Sequence, residues 1–273
     1  MAAQRFYPHI ALREFVSGYI LNDYHRDVLV DNDTCIYPAG SAMLCFSLDR
    51  PFLFKEICSG RIIKFTRFNF IPQFKQARFY QVIDSPSKVL HIVFKPYGAY
   101  RLLGIPQNCS FDEHGTALSD MLTNQVTPLL NRIEDAADDS DLIIQFVNEW
   151  LEAKLVKHSS IDVSRIRHVC TLIEANFGNL PIGRLAQYAG FSKRALEYRF
   201  QEQVGLSPKL FSRISRFNSL LGLIKSEQVT NWQELVFKYN YFDQAHFIKE
   251  FKYFSGNSPT QLSSIHPILT TNY

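Results

Sequence analysis

The chain has 273 residues, 20% charged and 14% aromatic, a balance that excludes a disordered protein and leaves room for two packed domains. Its net charge of +3 is unevenly spread. Residues 165–262 hold thirteen Lys and Arg against seven Asp and Glu, a net +6, so the C-terminal third is the part suited to a polyanion.

From about residue 15 to 96 the sequence alternates short aromatic and β-branched runs with turn residues. Cys35–Tyr37, Met43–Ser47, Arg61–Phe65 and Val89–Phe94 read as strands. The breakers between strands include Asp31–Asp33, Pro38–Gly40, Asp49–Pro51, Ser59–Gly60 and Asp84–Pro86. Such spacing predicts a small β-sandwich or barrel. A short helix is expected over Tyr97–Gly104, stopped by Gly104-Ile-Pro106. Residues 117–157 then follow helical spacing, as two helices around an acidic turn at Glu134–Asp141. Their apolar stripes, Leu118 to Ile133 and Leu142 to Leu155, read as core or as a homodimer interface. The apolar period breaks near Lys157–Ile161. The expected architecture is therefore α+β with two domains: a β-rich one over 1–157 whose C-terminal part is helical, and an all-α one over 162–265.

The all-α region contains a duplication. Phe200-Gln-Glu-Gln-Val-Gly205-Leu-Ser207-Pro208 recurs fifty-one positions later as Phe251-Lys-Tyr-Phe-Ser-Gly256-Asn-Ser258-Pro259, which marks two copies of one supersecondary unit. In the first copy Ile182–Ala189 forms a short helix with Leu185 and Ala186 inward. Gly190 supplies the turn and Ser192 caps a second helix whose Leu196 and Phe200 face inward. Ser192, Lys193, Arg194, Glu197 and Tyr198 then lie near the start of the second helix, where a recognition helix meets bases. Glu197 has two readings: an acceptor for a cytosine amino group, or an ion-pair partner for Lys193 or Arg194. In the second copy Trp232–Tyr239 is the support helix, Asn240 takes the glycine's place and Asp243 is the cap. Gln244, His246, Lys249 and Lys252 are its candidates for bases or phosphates. Pro208–Ser226 reads as one helix between the copies, without a breaker before Gly222. At about 1.5 Å per residue it approaches the ~34 Å between successive major-groove faces. Helix-turn-helix units with this spacer point to double-stranded DNA.

Residues 165–265 resemble the AraC/XylS family of bacterial transcriptional regulators. The resemblance is carried by Leu185-Ala186, Gly190-Phe191-Ser192, Leu196, Phe200, Gly205-Leu-Ser-Pro208, Tyr241-Phe-Asp-Gln-Ala-His-Phe247, Phe251 and Ser258-Pro259. It implies seven helices forming two helix-turn-helix subdomains, promoter binding, and often contact with RNA polymerase. Carried over, Arg194, Glu197 and Tyr198 are base contacts in the first unit, as are Gln244, His246 and Lys249 in the second. Val236 and Asn240 stand where alanine and glycine are usual. Tyr37-Pro-Ala-Gly40, Phe94-Lys-Pro-Tyr-Gly98 and Leu103-Gly-Ile-Pro106 resemble a less characterised, cupin-like sensor domain found ahead of some such modules. That likeness implies a small-molecule or protein effector.

A cupin-type metal protein or enzyme is the alternative. His25, His91 and His114 fit no metal-ligand spacing, so no metal, cofactor or catalytic residue is expected. Cys35, Cys45, Cys58, Cys109 and Cys170 lack C-x-x-C spacing, which argues against a zinc ribbon or disulfide framework and fits a reducing cytoplasm. Packing thiols are the reading for all five, with a redox sensor built on Cys35, Cys45 and Cys58 as its rival. The aromatics between Phe65 and Tyr80 fit core, a lined pocket or a partner surface. No apolar run approaches the roughly 18 residues of a membrane span, and Met1–Pro8 lacks a signal peptide's apolar core. A cytoplasmic protein without a membrane role is expected.

Overall fold

The structure, a computed structural model, describes residues 2–24, 35–51, 53–57, 59–77, 79–82, 86–109, 115–122, 125–136, 139–225 and 232–259. Of the residues singled out above, Asp31–Asp33, Cys58, Asp84, Ser85, His25 and His114 lie outside these, as does the side chain of Cys35.

Among the described residues the N-terminal part holds ten strands: β1 (Ala2–Phe6), β2 (Val16–Tyr24), β3 (Cys35–Ile36), β4 (Met43–Ser47), β5 (Leu53–Glu56), β6 (Ile62–Lys64), β7 (Phe68–Ile71), β8 (Phe79–Val82), β9 (Ser87–Phe94) and β10 (Thr116–Ala117). They form two antiparallel sheets, a six-stranded one in the order β1-β2-β9-β4-β7-β10 and a four-stranded one in the order β3-β8-β5-β6. Side-chain alternation explains how the sheets stack. On β4, Met43 and Cys45 join Tyr24, Ile36, Phe54, Phe65 and Val89 in a core between the sheets. Leu44 and Phe46 point the other way, with Leu90, Ile92 and Phe94, into a larger core covered by helices. A strand covered on both faces is apolar throughout, which is why Met43–Ser47 shows no polar alternation. Phe65, Phe68, Phe70 and Phe74 all serve one core or the other, as the plainest reading of that aromatic run expects.

Helix α1 (Gly98–Leu103) lies between β9 and β10, and α2 (Leu118–Leu122), α3 (Thr127–Asp135) and α4 (Ser140–Lys157) follow. The sequence reads one helix where α2 and α3 stand. Pro128 explains the break, because its ring and missing N–H start a new helix at its first turn instead of continuing an old one. The two apolar stripes fold into this chain's own core: Leu118, Leu129, Ile133, Ile143, Val147 and Leu151 are all buried. Tyr19 Oη donates to Asn148 Oδ1 at 2.8 Å, tying α4 to the large sheet. Arg101 on α1 donates to the carbonyls of Leu155 and His158 at 3.2 and 2.8 Å. A guanidinium at these last carbonyls is favoured by the helix dipole.

The C-terminal part comprises α5 (Ser164–Ala175), α6 (Ile182–Tyr188), α7 (Lys193–Val204), α8 (Pro208–Lys225), α9 (Trp232–Lys238) and α10 (Gln244–Ser255). These are six of the seven helices the resemblance implies; residues beyond Pro259 lie outside those described. α8 continues through Gly222 to Lys225, in keeping with the reading of Pro208–Ser226 as one helix, since one glycine costs a helix only about 1 kcal/mol. No helix among the described residues is long and apolar enough to cross a membrane.

Candidate nucleic-acid interface

Both turns close in the same way. Gly190 has φ +66° and Asn240 φ +54°, so each occupies the left-handed region. The N–H of the following residue reaches back in each case, Phe191 to Ala186 O and Tyr241 to Val236 O, both at 2.9 Å. Asparagine tolerates this conformation well enough that the second turn keeps the geometry of the first. The caps match too. Ser192 Oγ accepts from Ala195 N at 3.1 Å, and Asp243 Oδ1 accepts from His246 N at 2.7 Å. Gly205 and Gly256 end α7 and α10 in left-handed conformations, which accounts for the repeated Phe-x₄-Gly spacing.

α8 holds the two units together. Ser207 Oγ accepts from Leu210 N at 3.1 Å at its start, with Pro208 in the first helical position. Phe211 meets Phe200 of α7 at 5.5 Å between ring centroids. Phe217 meets Phe251 and Phe254 of α10 at 5.2 and 5.4 Å. Eighteen residues make α8 about 27 Å long. A polar lock reinforces its join with α10: buried Glu250 accepts from Arg213 Nε at 3.0 Å and lies 3.3 Å from His246 Nε2.

On α7, Lys193, Arg194 and Tyr198 are exposed, and Glu197 is half-buried. Glu197 pairs with neither Lys193 nor Arg194 among the described residues, so the ion-pair reading of this carboxylate fails in the unbound chain. Its neighbour Arg199 is the residue that finds an acid, Glu202 at 2.9 Å. On α10, Gln244, Lys249 and Lys252 are exposed. His246 is less available than its position suggests. Its Nδ1 accepts from Phe242 N at 3.4 Å and its Nε2 faces Glu250, so it helps to hold the turn. Ser192 and Asp243 use their side-chain oxygens on their own helices.

Some surface residues escaped the sequence reading. Ala245 and Ile248 stand exposed among the polar residues of α10, suited to apolar contact with thymine methyls. The row Gln244, Ile248, Lys252 at i, i+4, i+8 was the available signal. Phe242, just before the Asp243 cap, is 92% exposed. On α6, Arg184 Nη2 donates to Tyr188 Oη at 2.8 Å, holding a cation beside the turn.

Elsewhere, burial pushes the Cys45 and Cys170 thiols up, which removes Cys45 from any role as a thiolate sensor near neutral pH. No group of three His, Cys, Asp or Glu side chains among the described residues could hold a metal ion.

Two capped helix-turn-helix units on one spacer, with cations at the start of α7 and along α10, define a DNA-binding protein. A helix-turn-helix domain family matches residues 185–264. The chain is 31% identical over 120 residues to the HTH-type transcriptional activator AarP of Providencia stuartii, covering 43% of this chain and 84% of that protein. It belongs to the AraC/XylS family of transcriptional regulators. An uncharacterized HTH-type regulator of Staphylococcus aureus is 25% identical over 116 residues, 42% of this chain but only 15% of that protein. Among solved structures, ToxT of Vibrio cholerae with a bound unsaturated fatty acid aligns over 90% of this chain and 94% of its own at 13% identity, with a TM-score of 0.46. The AraC-like activator CuxR aligns over 75% and 73% with a TM-score of 0.21. The protein is a DNA-binding transcriptional regulator.

Proposed function

We propose that α7 and α10 enter successive major grooves on one side of promoter DNA, with α8 setting their separation. The observation that carries this reading is the matched pair of turns and caps at the two ends of one rigid helix. Arg194 is the leading base contact, because it is exposed near the start of α7 and a guanidinium matches the O6/N7 edge of guanine. Glu197 accepts from a cytosine amino group, and Tyr198 and Gln244 contact neighbouring bases. Lys193, Lys249 and Lys252 bind phosphates. Ser192 and Asp243 hold the helix starts against the backbone, and His246 supports α10 from within.

The N-terminal part, ending near residues 157–162, modulates this binding in response to an effector. In this reading the protein works in the cytoplasm, contacts RNA polymerase as members of the family often do, and self-associates through its N-terminal part. A genome-wide binding profile followed by gel-shift titration of the recovered sites tests the reading. A shared motif with two boxes one helical turn apart supports insertion in successive grooves. A single-box motif bound equally well without its flanking turn overturns it.

A further inference from the structure

A cavity of about 450 Å³ opens at the seam between the N-terminal sheets and α8. That volume falls within the range of small-molecule sites. Its walls include Ser41 and Lys95 from the N-terminal part, Glu174 from α5, and Phe211, Ile214 and Asn218 from one face of α8. Contacts beside it hold the two sides together. Asn218 Nδ2 donates to Ala39 O at 3.3 Å, and Tyr37 meets Phe217 edge-on at 6.0 Å.

Three features mark it as a site. The Ser41 hydroxyl is buried and makes no hydrogen bond among the described residues. A buried hydroxyl without a partner is costly, and a ligand atom relieves that cost. Second, the wall carries both signs of charge, Lys95 on the sandwich side and Glu174 on the helical side. Surrounding protein raises the Glu174 carboxyl above its ordinary value although the side chain is open to the cavity, and Lys95 opposes the rise. Third, Phe211 and Ile214 supply a short apolar surface between polar groups.

We propose that this seam binds a small zwitterion of the α-amino-acid type. Its carboxylate meets Lys95, its ammonium meets Glu174, its polar edge meets Ser41, and its side chain lies on Phe211 and Ile214. The proposal rests on the reading of α8 as the spacer between DNA-reading helices and assigns the effector that reading leaves open. The coupling route is also present. Gln107 N–H donates to Glu202 O near the end of α7 at 2.7 Å, and Ala77 N–H donates to Phe254 O near the end of α10 at 3.0 Å. The N-terminal part therefore grips both recognition helices at their C-terminal ends while α8 forms the cavity wall. A ligand that prefers one pose of α8 biases the placement of both helices.

The test is calorimetric titration of the full chain with the twenty common L-amino acids, each against its deaminated acid and its decarboxylated amine. At least one amino acid is expected to bind at least tenfold more tightly than both counterparts. It should also change affinity for the recovered promoter site by about tenfold, within the usual span of allosteric coupling. Lys95→Ala and Glu174→Gln should each weaken ligand binding at least tenfold, and Ser219→Trp, which puts an indole on the α8 wall of the cavity, should abolish it. No binding by any amino acid at millimolar concentration, equal binding of the acid alone, or binding undiminished in Ser219→Trp overturns the proposal. Promoter binding by the ligand-free wild-type chain reports separately on the regulator reading.

Discussion

His91 lies on β9 facing the space between the sheets, with Nδ1 3.2 Å from Cys45 Sγ and Nε2 without a partner among the described residues. Burial lowers its pKa to about 4 from an ordinary 6.5. The unfolded chain therefore binds the proton more readily between those values. The stability associated with neutral His91 is complete above about pH 6.5 and falls as pH drops toward 4, by about 3 kcal/mol in all. Urea midpoints measured at pH 7 and pH 5 should differ in wild type and differ less in His91→Leu. Equal differences in both would assign the acid sensitivity elsewhere. At the other end of the chain, Arg194→Ala should cost about 1–3 kcal/mol at the promoter site and relax preference at one base position. Equal losses on promoter and random DNA would show a phosphate contact instead. Both residues were visible as chemistry in the sequence, yet only Arg194 could be given a role there. His91 looked like one of three scattered histidines until strand pairing set it beside Cys45.

At the scale of the element, the two helix-turn-helix units differ in composition and agree in geometry. Asn240 holds a φ of +54° that a Cβ-branched or alanine side chain resists. Asn240→Ala should destabilise the second unit by about 1–2 kcal/mol, and Asn240→Gly should not; comparing their thermal midpoints with wild type decides it. The lock between α8 and α10 was not legible, because Arg213 and Glu250 are 37 positions apart and nothing in either local pattern pairs them. Glu250→Gln should cost about 2 kcal/mol, the scale of a charged hydrogen bond. It should also loosen α10, read as faster amide exchange there than in α7. Unchanged exchange in α10 would mean that Phe247, Phe251 and Phe254 alone set its packing.

For the whole molecule, the basic charge and the two-sided grip on the recognition helices are the features that matter. The three phosphate contacts of Lys193, Lys249 and Lys252 give a salt slope of about −2.7 and a roughly fortyfold loss of DNA affinity between about 50 and 200 mM salt. Affinity that stays flat over that range contradicts the interface drawn here. Gln107 and Ala77 act through backbone N–H groups, which carry no sequence signal, so how the N-terminal part holds the two units could not be read in advance.

The strands at Met43–Ser47, Ile62–Lys64 and Ser87–Phe94, the duplicated turns, the caps and the spacer helix were determined by the sequence itself. Each depends on neighbours a few residues away: a glycine or asparagine at a turn, a Ser or Asp at a cap, an apolar period along a helix. The stacking of the two sheets, the Glu250–Arg213 lock and the seam cavity were decided only in the tertiary structure. These arise from groups far apart in the chain, and their partners are chosen by which faces must be buried together.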